Sequence, residues 1–231
     1  MGNQRHTATP GAETADHQAT TLTGLRTQFL LETLAAFAIG VSFLGLPAGL
    51  TVGPNWLALA LSLIVLGPLA IVAFFRRPNY HIARPLRAGV QVLLSAALLS
   101  SVVLLVTHLA DPRFQKDVFA AGGLLRAGTL LWLSNILIFA VWYWEIDGDG
   151  PLHRHQRGHP AADFLFPQQT SGRPFAPGFV DYLFLAFCFA TALSPADTAP
   201  LTPRAKLLMM AEALISIAVI VLLVARSVNI L

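Results

Sequence analysis

An all-helical, polytopic membrane protein is the fold class this sequence predicts, and three observations predict it. Hydrophobic residues make up 55% of the 231-residue chain and charged residues only 12%, about half the charged share of an average soluble domain, near 25%. The apolar residues gather in six long blocks, several close to the roughly 20 residues that a helix needs to cross a hydrocarbon core of about 30 Å. The basic residues lie between the blocks and not along one face or tail, so the partner implied is a lipid bilayer and not a nucleic acid.

Residues 1–28 come first, rich in Thr, Ala and small polar side chains and without the apolar core of a cleaved signal peptide. They are expected to form a disordered, polar, cytoplasmic tail. Met1-Gly2 does not complete a myristoylation motif, because position 6 is His6 where Ser or Thr is required. Residues 29–144 are expected to form a four-helix transmembrane region. Its first block, 29–51, carries Glu32 as its one charge and is loosened by Gly40, Gly45, Pro47 and Gly49; the turn V-G-P-N leads into the uncharged block 56–75, so the two make a hairpin. Residues 76–87, R-R-P-N-Y-H-I-A-R-P-L-R, hold four arginines and two prolines and are read as a loop. Block three covers 88–110. Block four, 122–144, starts near Arg126 and ends in Trp142, Tyr143 and Trp144, which are read as an interfacial aromatic belt.

Residues 145–178 form a polar loop rich in His, Asp, Gly and Pro, long enough to imply either function or disorder. Residues 179–231 follow as a helix pair, with a short fifth block that breaks at Pro195 and a sixth from about Ala205 to the end. The lone Cys188 lies in the fifth block, which excludes an intrachain disulfide and suits a buried, inert thiol.

Arginine and lysine favour cytoplasmic loops. With the N-terminus inside and six spans, ten of the fifteen basic residues fall inside. A fifth block that dips in from the cytoplasm and returns puts eleven inside, whereas one that dips in from outside leaves four. The charge rule therefore predicts a cytoplasmic N-terminus in a multi-pass protein of the cell (inner) membrane. It does not separate a spanning fifth block from one that re-enters.

The stretch 179–203 carries a resemblance. In spacing, Asp181, Thr191, Asp197, Pro200 and Thr202 resemble the pore module of two-helix potassium channels, with an aromatic-rich pore helix, a filter Thr and the Asp, Pro and Thr after it. That module implies a filter Thr-Val-Gly-Tyr-Gly whose carbonyls replace water around the ion. This chain has Thr191, Ala192, Leu193, Ser194, Pro195 and Ala196 instead, so the filter glycines are missing and a potassium-selective filter is not expected. The last hundred or so residues are more closely similar to a family of bacterial integral membrane proteins of unknown function. The likeness rests on a Trp- and Asn-containing helix (131–143), Asp163 to Pro167, Asp181 to Phe187, Ser194 to Thr198 and a last helix ending in Asn229. It implies a membrane fold.

Several side chains are candidates for chemistry. Glu212 lies inside the sixth block with Ser216 one turn on, and a charge at mid-membrane costs about 2.5 to 3.5 kcal/mol unless it is placed or paired. Together with Thr191, Ser194, Asp197 and Thr198 it forms the candidate pore or ion path. Asn135, Asp181 and Ser216 are candidate interhelical polar groups, with Asp181 also suited to capping its own helix. Glu145, Asp147, Asp149, His153, His155 and His159 are the candidate metal ligands of the loop. E-I-D-G-D-G matches a calcium loop at its first, third, fifth and sixth positions, but Gln156 stands at the twelfth where Glu is required. H-R-H-Q-R-G-H offers imidazoles to a transition metal or a basic face to lipid headgroups.

No cofactor motif occurs, and no nucleophile, base and orienting group can be placed together on one membrane face, so an enzyme is not expected. The sequence thus leads to a channel-like or transport-related protein with a degenerate pore-like module. The alternative is a non-conducting structural or accessory subunit, either one forming a homo-oligomer or packing against a membrane-protein partner.

Overall fold

A computed structural model describes Thr27 and residues 30–68, 80–110, 121–171, 175–191 and 197–228. The chain is mostly helical. Helix α1 (Leu30–Leu44) and α2 (Leu57–Leu66) form the expected hairpin, followed by α3 (Tyr80–Ala110) and α4 (Ala121–Ile146). After a short α5 (Pro151–Gln156) come the strand β1 (Phe164–Leu165), α6 (Phe179–Thr191), the strand β2 (Ala199–Pro200) and the last helix α7 (Pro203–Val228).

Among the described residues three stretches are long and apolar enough to cross a membrane: Arg84–His108, the helix within Gly122–Gln156, and Pro203–Ala225. The sequence predicts six blocks; over the described residues the other three hold shorter apolar helices. Pro47, with Gly45 before it, ends α1, and the described part of α6 is 13 residues, a length of about 20 Å against a core of about 30 Å. Apolar side chains cover both faces of the long helices. On α7, Met209 and Val219 are buried while Leu207, Met210, Leu214, Ile217 and Val221 are exposed, the mark of a helix with apolar surroundings on every side.

Helix α4 is the hub, packed against α3, α6 and α7, and its contacts fix every direction in the bundle. Arg87 reaches Glu145, and Gln91 donates to the Ile138 carbonyl, so α3 runs antiparallel to α4. Trp144 packs against Phe179 and Tyr182, whereas Trp132, about 18 Å along α4, packs on Phe187 and donates to the Ala190 carbonyl. Helix α6 is therefore also antiparallel to α4. So is α7, because Arg204 reaches the Ile146 carbonyl, Glu212 reaches Tyr143, and Leu223 lies against Gly128. Helices α6 and α7 thus start at the same end of the bundle. The chain is back at that end by β2, where Ala199 and Pro200 pair antiparallel with Leu165 and Phe164.

Three local expectations are corrected. Residues 80–87 are helix and not loop, with Pro85 inside α3; the proline gives up one backbone bond near the helix start, and the continued helix carries Arg87 to Glu32 and Glu145. Tyr143 and Trp144 are buried against α6 and α7 instead of forming a lipid-facing belt, and Trp142 turns its indole N–H to Ser95. Residues 145–171 are built and not irregular, since they hold α5, β1 and two 3₁₀ turns. The tail 1–28 apart from Thr27, Arg76 to Asn79, and Ser194 lie outside the described residues.

Candidate functional site

Two buried polar clusters stand out. The first is a clasp at the end of the bundle where α4 finishes and α6 and α7 begin. The E-I-D-G-D-G sequence turns there through three successive residues of positive φ: Gly148 (57°), Asp149 (64°) and Gly150 (101°), a conformation that glycine favours and other residues seldom take. This turn presents Asp147, 2% exposed, to three donors: the N–H of Asp163 (2.8 Å), the N–H of Phe164 (3.3 Å) and the Tyr182 hydroxyl (2.5 Å). Asp163, 0% exposed, in turn accepts from the Gly148 N–H (3.0 Å), from Thr202 (2.5 Å) and from two guanidinium nitrogens of Arg204 (both 2.6 Å). Two carboxylates buried within about a turn of one another are tolerable because each is bonded several times over.

Arg154 completes the clasp. Its guanidinium lies 4.6 Å from the centre of the Trp144 ring and 5.1 Å from that of Tyr182, and donates to the carbonyls of Trp144 and Asp147. A buried cation held between ring faces gains from their negative quadrupole. Burial alone would push the Asp163 carboxyl up, but the bonds from Arg204, Thr202 and Gly148 outweigh it and hold the group below the ordinary aspartate range. Burial pushes His159 below the ordinary histidine range, and His155 and Arg154 add to the effect.

The second cluster is sunk between α4 and α7. Glu212, 0% exposed, accepts from the Tyr143 hydroxyl through Oε2, while its Oε1 has no partner among the described residues. Asn135, also 0% exposed, donates through Nδ2 to Ser216 (2.8 Å) and to the Glu212 carbonyl (3.2 Å), leaving its Oδ1 without a partner among the described residues. Glu212 forms no ion pair among the described residues. A third charged group, Glu32–Arg87–Glu145, joins α1, α3 and α4 at the clasp end, with Arg87 2.8 Å from Glu32 and 3.4 Å from Glu145.

The candidate pore residues are not brought together. Thr191 bonds the carbonyls of Phe187 and Cys188 in its own helix, close to the level of Trp132, whereas Asp197 and Thr198 precede β2 at the clasp end. Of the interhelical candidates, Asn135 and Ser216 meet across α4 and α7. The Asp181 carboxylate accepts the Gly178 N–H at 2.7 Å and fastens the start of α6.

The candidate metal ligands are dispersed among other duties. Glu145 faces Arg87, Asp147 serves the clasp, Asp149 lies 3.5 Å from Arg204, and His153 bonds the Asp149 carbonyl. His155 and His159 face each other with ring nitrogens 3.3 Å apart. Among the described residues no three His, Cys, Asp or Glu side chains gather into a group that could hold a metal.

Sequence reasoning missed Asp163, Arg154 and Arg204 as site residues, and misread Tyr143. Asp163 carried a usable signal, a lone acid leading into the apolar run Phe164-Leu165-Phe166. No family model, no curated protein and no solved structure matches this chain.

Proposed function

We propose that this chain is an integral membrane protein of a transport-related class, with Glu212 as the group that handles a proton or a small cation. The observation that carries the reading is the Glu212 carboxyl: fully buried, bonded once by Tyr143, free at Oε1 and without a cationic partner among the described residues. An acid in such a place is costly to hold ionised unless a cation pairs with it, and otherwise keeps its proton, and intramembrane acids of this kind mark ion and proton paths.

The directions of the helices support the rest of the reading. Helix α6 starts at the same end as α7, its described part is 13 residues, and the chain is back at its starting end by Ala199, as a half-helix re-entering a bilayer would do. Such broken helices accompany ion and substrate sites in transporters. The clasp end, with Arg84, Arg87, Arg154, Arg157, Arg204 and Lys206, is then the cytoplasmic face.

A second reading, a non-conducting accessory subunit, draws support from the missing filter glycines and from the way Asn135 ties α4 to α7. Flux of protons and monovalent cations into liposomes holding the purified protein separates the two. Transport predicts gradient-driven flux that Glu212→Gln lowers at least tenfold with the fold intact. An accessory role predicts no flux in either protein and a lower melting temperature for Glu212→Gln, and that outcome would overturn the transport reading.

A further inference from the structure

Between α4 and α7, Glu212 Oε1 and Asn135 Oδ1 are buried oxygens that receive no hydrogen bond among the described residues. Both residues are 0% exposed, so neither oxygen has surface open to a void large enough for water. That closure distinguishes a proton from a metal cation.

A hard metal cation gathers about six or more oxygens as ligands, in place of the water it leaves behind. The oxygens around Glu212 are mostly engaged. Its Oε2 accepts from the Tyr143 hydroxyl, while its own carbonyl and the Ser216 hydroxyl oxygen accept from Asn135 Nδ2. Two are left, Oε1 and Oδ1. A cation between them would have to part α4 from α7, which these same bonds join and which pack so closely further along that Gly128 meets Leu223 with no room for a Cβ. A proton meets no such obstacle. It needs one oxygen, takes up no volume, and removes the charge that makes a buried carboxylate costly.

The neighbours of Glu212 point the same way. Tyr143 on α4 is the one titratable group that acts on it, and α3, α6 and β2, the other elements against α7, bring none among the described residues. Tyr143 also tells the two carboxyl oxygens apart. The oxygen that accepts its hydroxyl is suited to be the carbonyl oxygen of an acid, which leaves Oε1 for the proton.

We propose that the ion Glu212 takes is a proton and not a metal cation, held at neutral pH on Oε1 while Oε2 accepts from Tyr143. The proposal rests on the reading of Glu212 as the ion-handling group and narrows it to one ion.

Infrared difference spectra of the full chain in phosphatidylcholine vesicles at neutral pH, wild type minus Glu212→Gln, read the proton directly. The expected result is the C=O stretch of a protonated carboxyl, present in the wild type, lost in the variant, and equally strong in sodium, potassium and choline buffers. Tyr143→Phe removes the hydrogen bond to Oε2 and should move this band to higher frequency without abolishing it. In the same vesicles a pH gradient, with choline as the only other cation, should change the signal of a trapped pH dye, whereas labelled sodium should enter no faster than into empty vesicles. Absence of the band from the wild type, its loss when sodium replaces choline, or sodium entry that Glu212→Gln abolishes would each overturn the proposal. An unmoved band in Tyr143→Phe would overturn the placement of the proton on Oε1. The expected band without flux of either ion would overturn the transport reading and leave the bound proton standing, so the two fail separately. If Glu212→Gln does not fold, the shift in Tyr143→Phe assigns the band by itself.

Discussion

At the scale of single residues, the clasp shows why a buried acid can stabilise. Asp163 receives donors from β2's neighbour Thr202, from Arg204 at the start of α7 and from Gly148 after α4, so one carboxylate joins three segments far apart in the sequence. Asp163→Asn keeps the shape but removes the charge that Arg204 pairs with. Arg204 is itself half exposed and can turn to water, so we expect a loss of about 2 kcal/mol, in the range of charge-assisted bonds and not of a fully buried pair. Because the folded state holds the Asp163 carboxyl below its ordinary range, its contribution is fully present above the unfolded value, near 4, and is lost as pH falls through the folded one. Melting temperatures between pH 7 and 2 should therefore fall in the wild type and fall less in Asp163→Asn. Parallel pH profiles would contradict this account. None of these partners was legible in the sequence, since Thr202 and Arg204 lie 39 and 41 positions away. The acids that did attract attention, Glu145, Asp147 and Asp149, looked like ligands because their arginine and backbone partners are equally distant or belong to a turn that only its positive φ values reveal.

At the scale of elements, composition made the helices legible and their ends less so. Apolar blocks located α1, α2, α3, α4 and α7 and a short α6, but Pro85 suggested a break where the helix continues. Packing between elements depends on glycines whose purpose shows only in three dimensions. A Cβ at Gly40 would lie 2.7 Å from the Leu59 Cα, backbone that cannot yield, while a Cβ at Gly128 would lie 2.4 Å from Leu223 Cδ2, a side chain that can. We therefore expect Gly40→Ala and Gly128→Ala each to destabilise by about 1–3 kcal/mol through overpacking. Leu223→Ala should restore most of the loss in Gly128→Ala, whereas Leu59→Ala should restore little in Gly40→Ala. Thermal unfolding of the four single and two double variants decides it, and equal rescue in both pairs would show that the α1–α2 contact is looser than the geometry implies.

At the scale of the whole molecule, the charge rule favoured a cytoplasmic N-terminus yet scored a spanning and a re-entering fifth block almost alike, because the two differ only in where Arg204, Lys206 and Arg226 fall. The two also differ in what they ask of pairing across the sequence, namely β1 against β2, and Asp163 against Thr202 and Arg204. Those contacts hold the segment before α6 and the segment after it at one end of the bundle, whereas the hairpin turn around Val52 points the other way along α1 and α3. Single cysteines at Gln168, Leu201 and Val52, all exposed, introduced into a Cys188→Ala background, turn this into a measurement. An impermeant maleimide should label positions 168 and 201 from the same side, the side on which the arginine-rich end lies, and position 52 from the opposite side. Labelling of 168 and 201 from opposite sides would require the chain to cross the bilayer once between them without returning, which would break the clasp that Asp147 and Asp163 build.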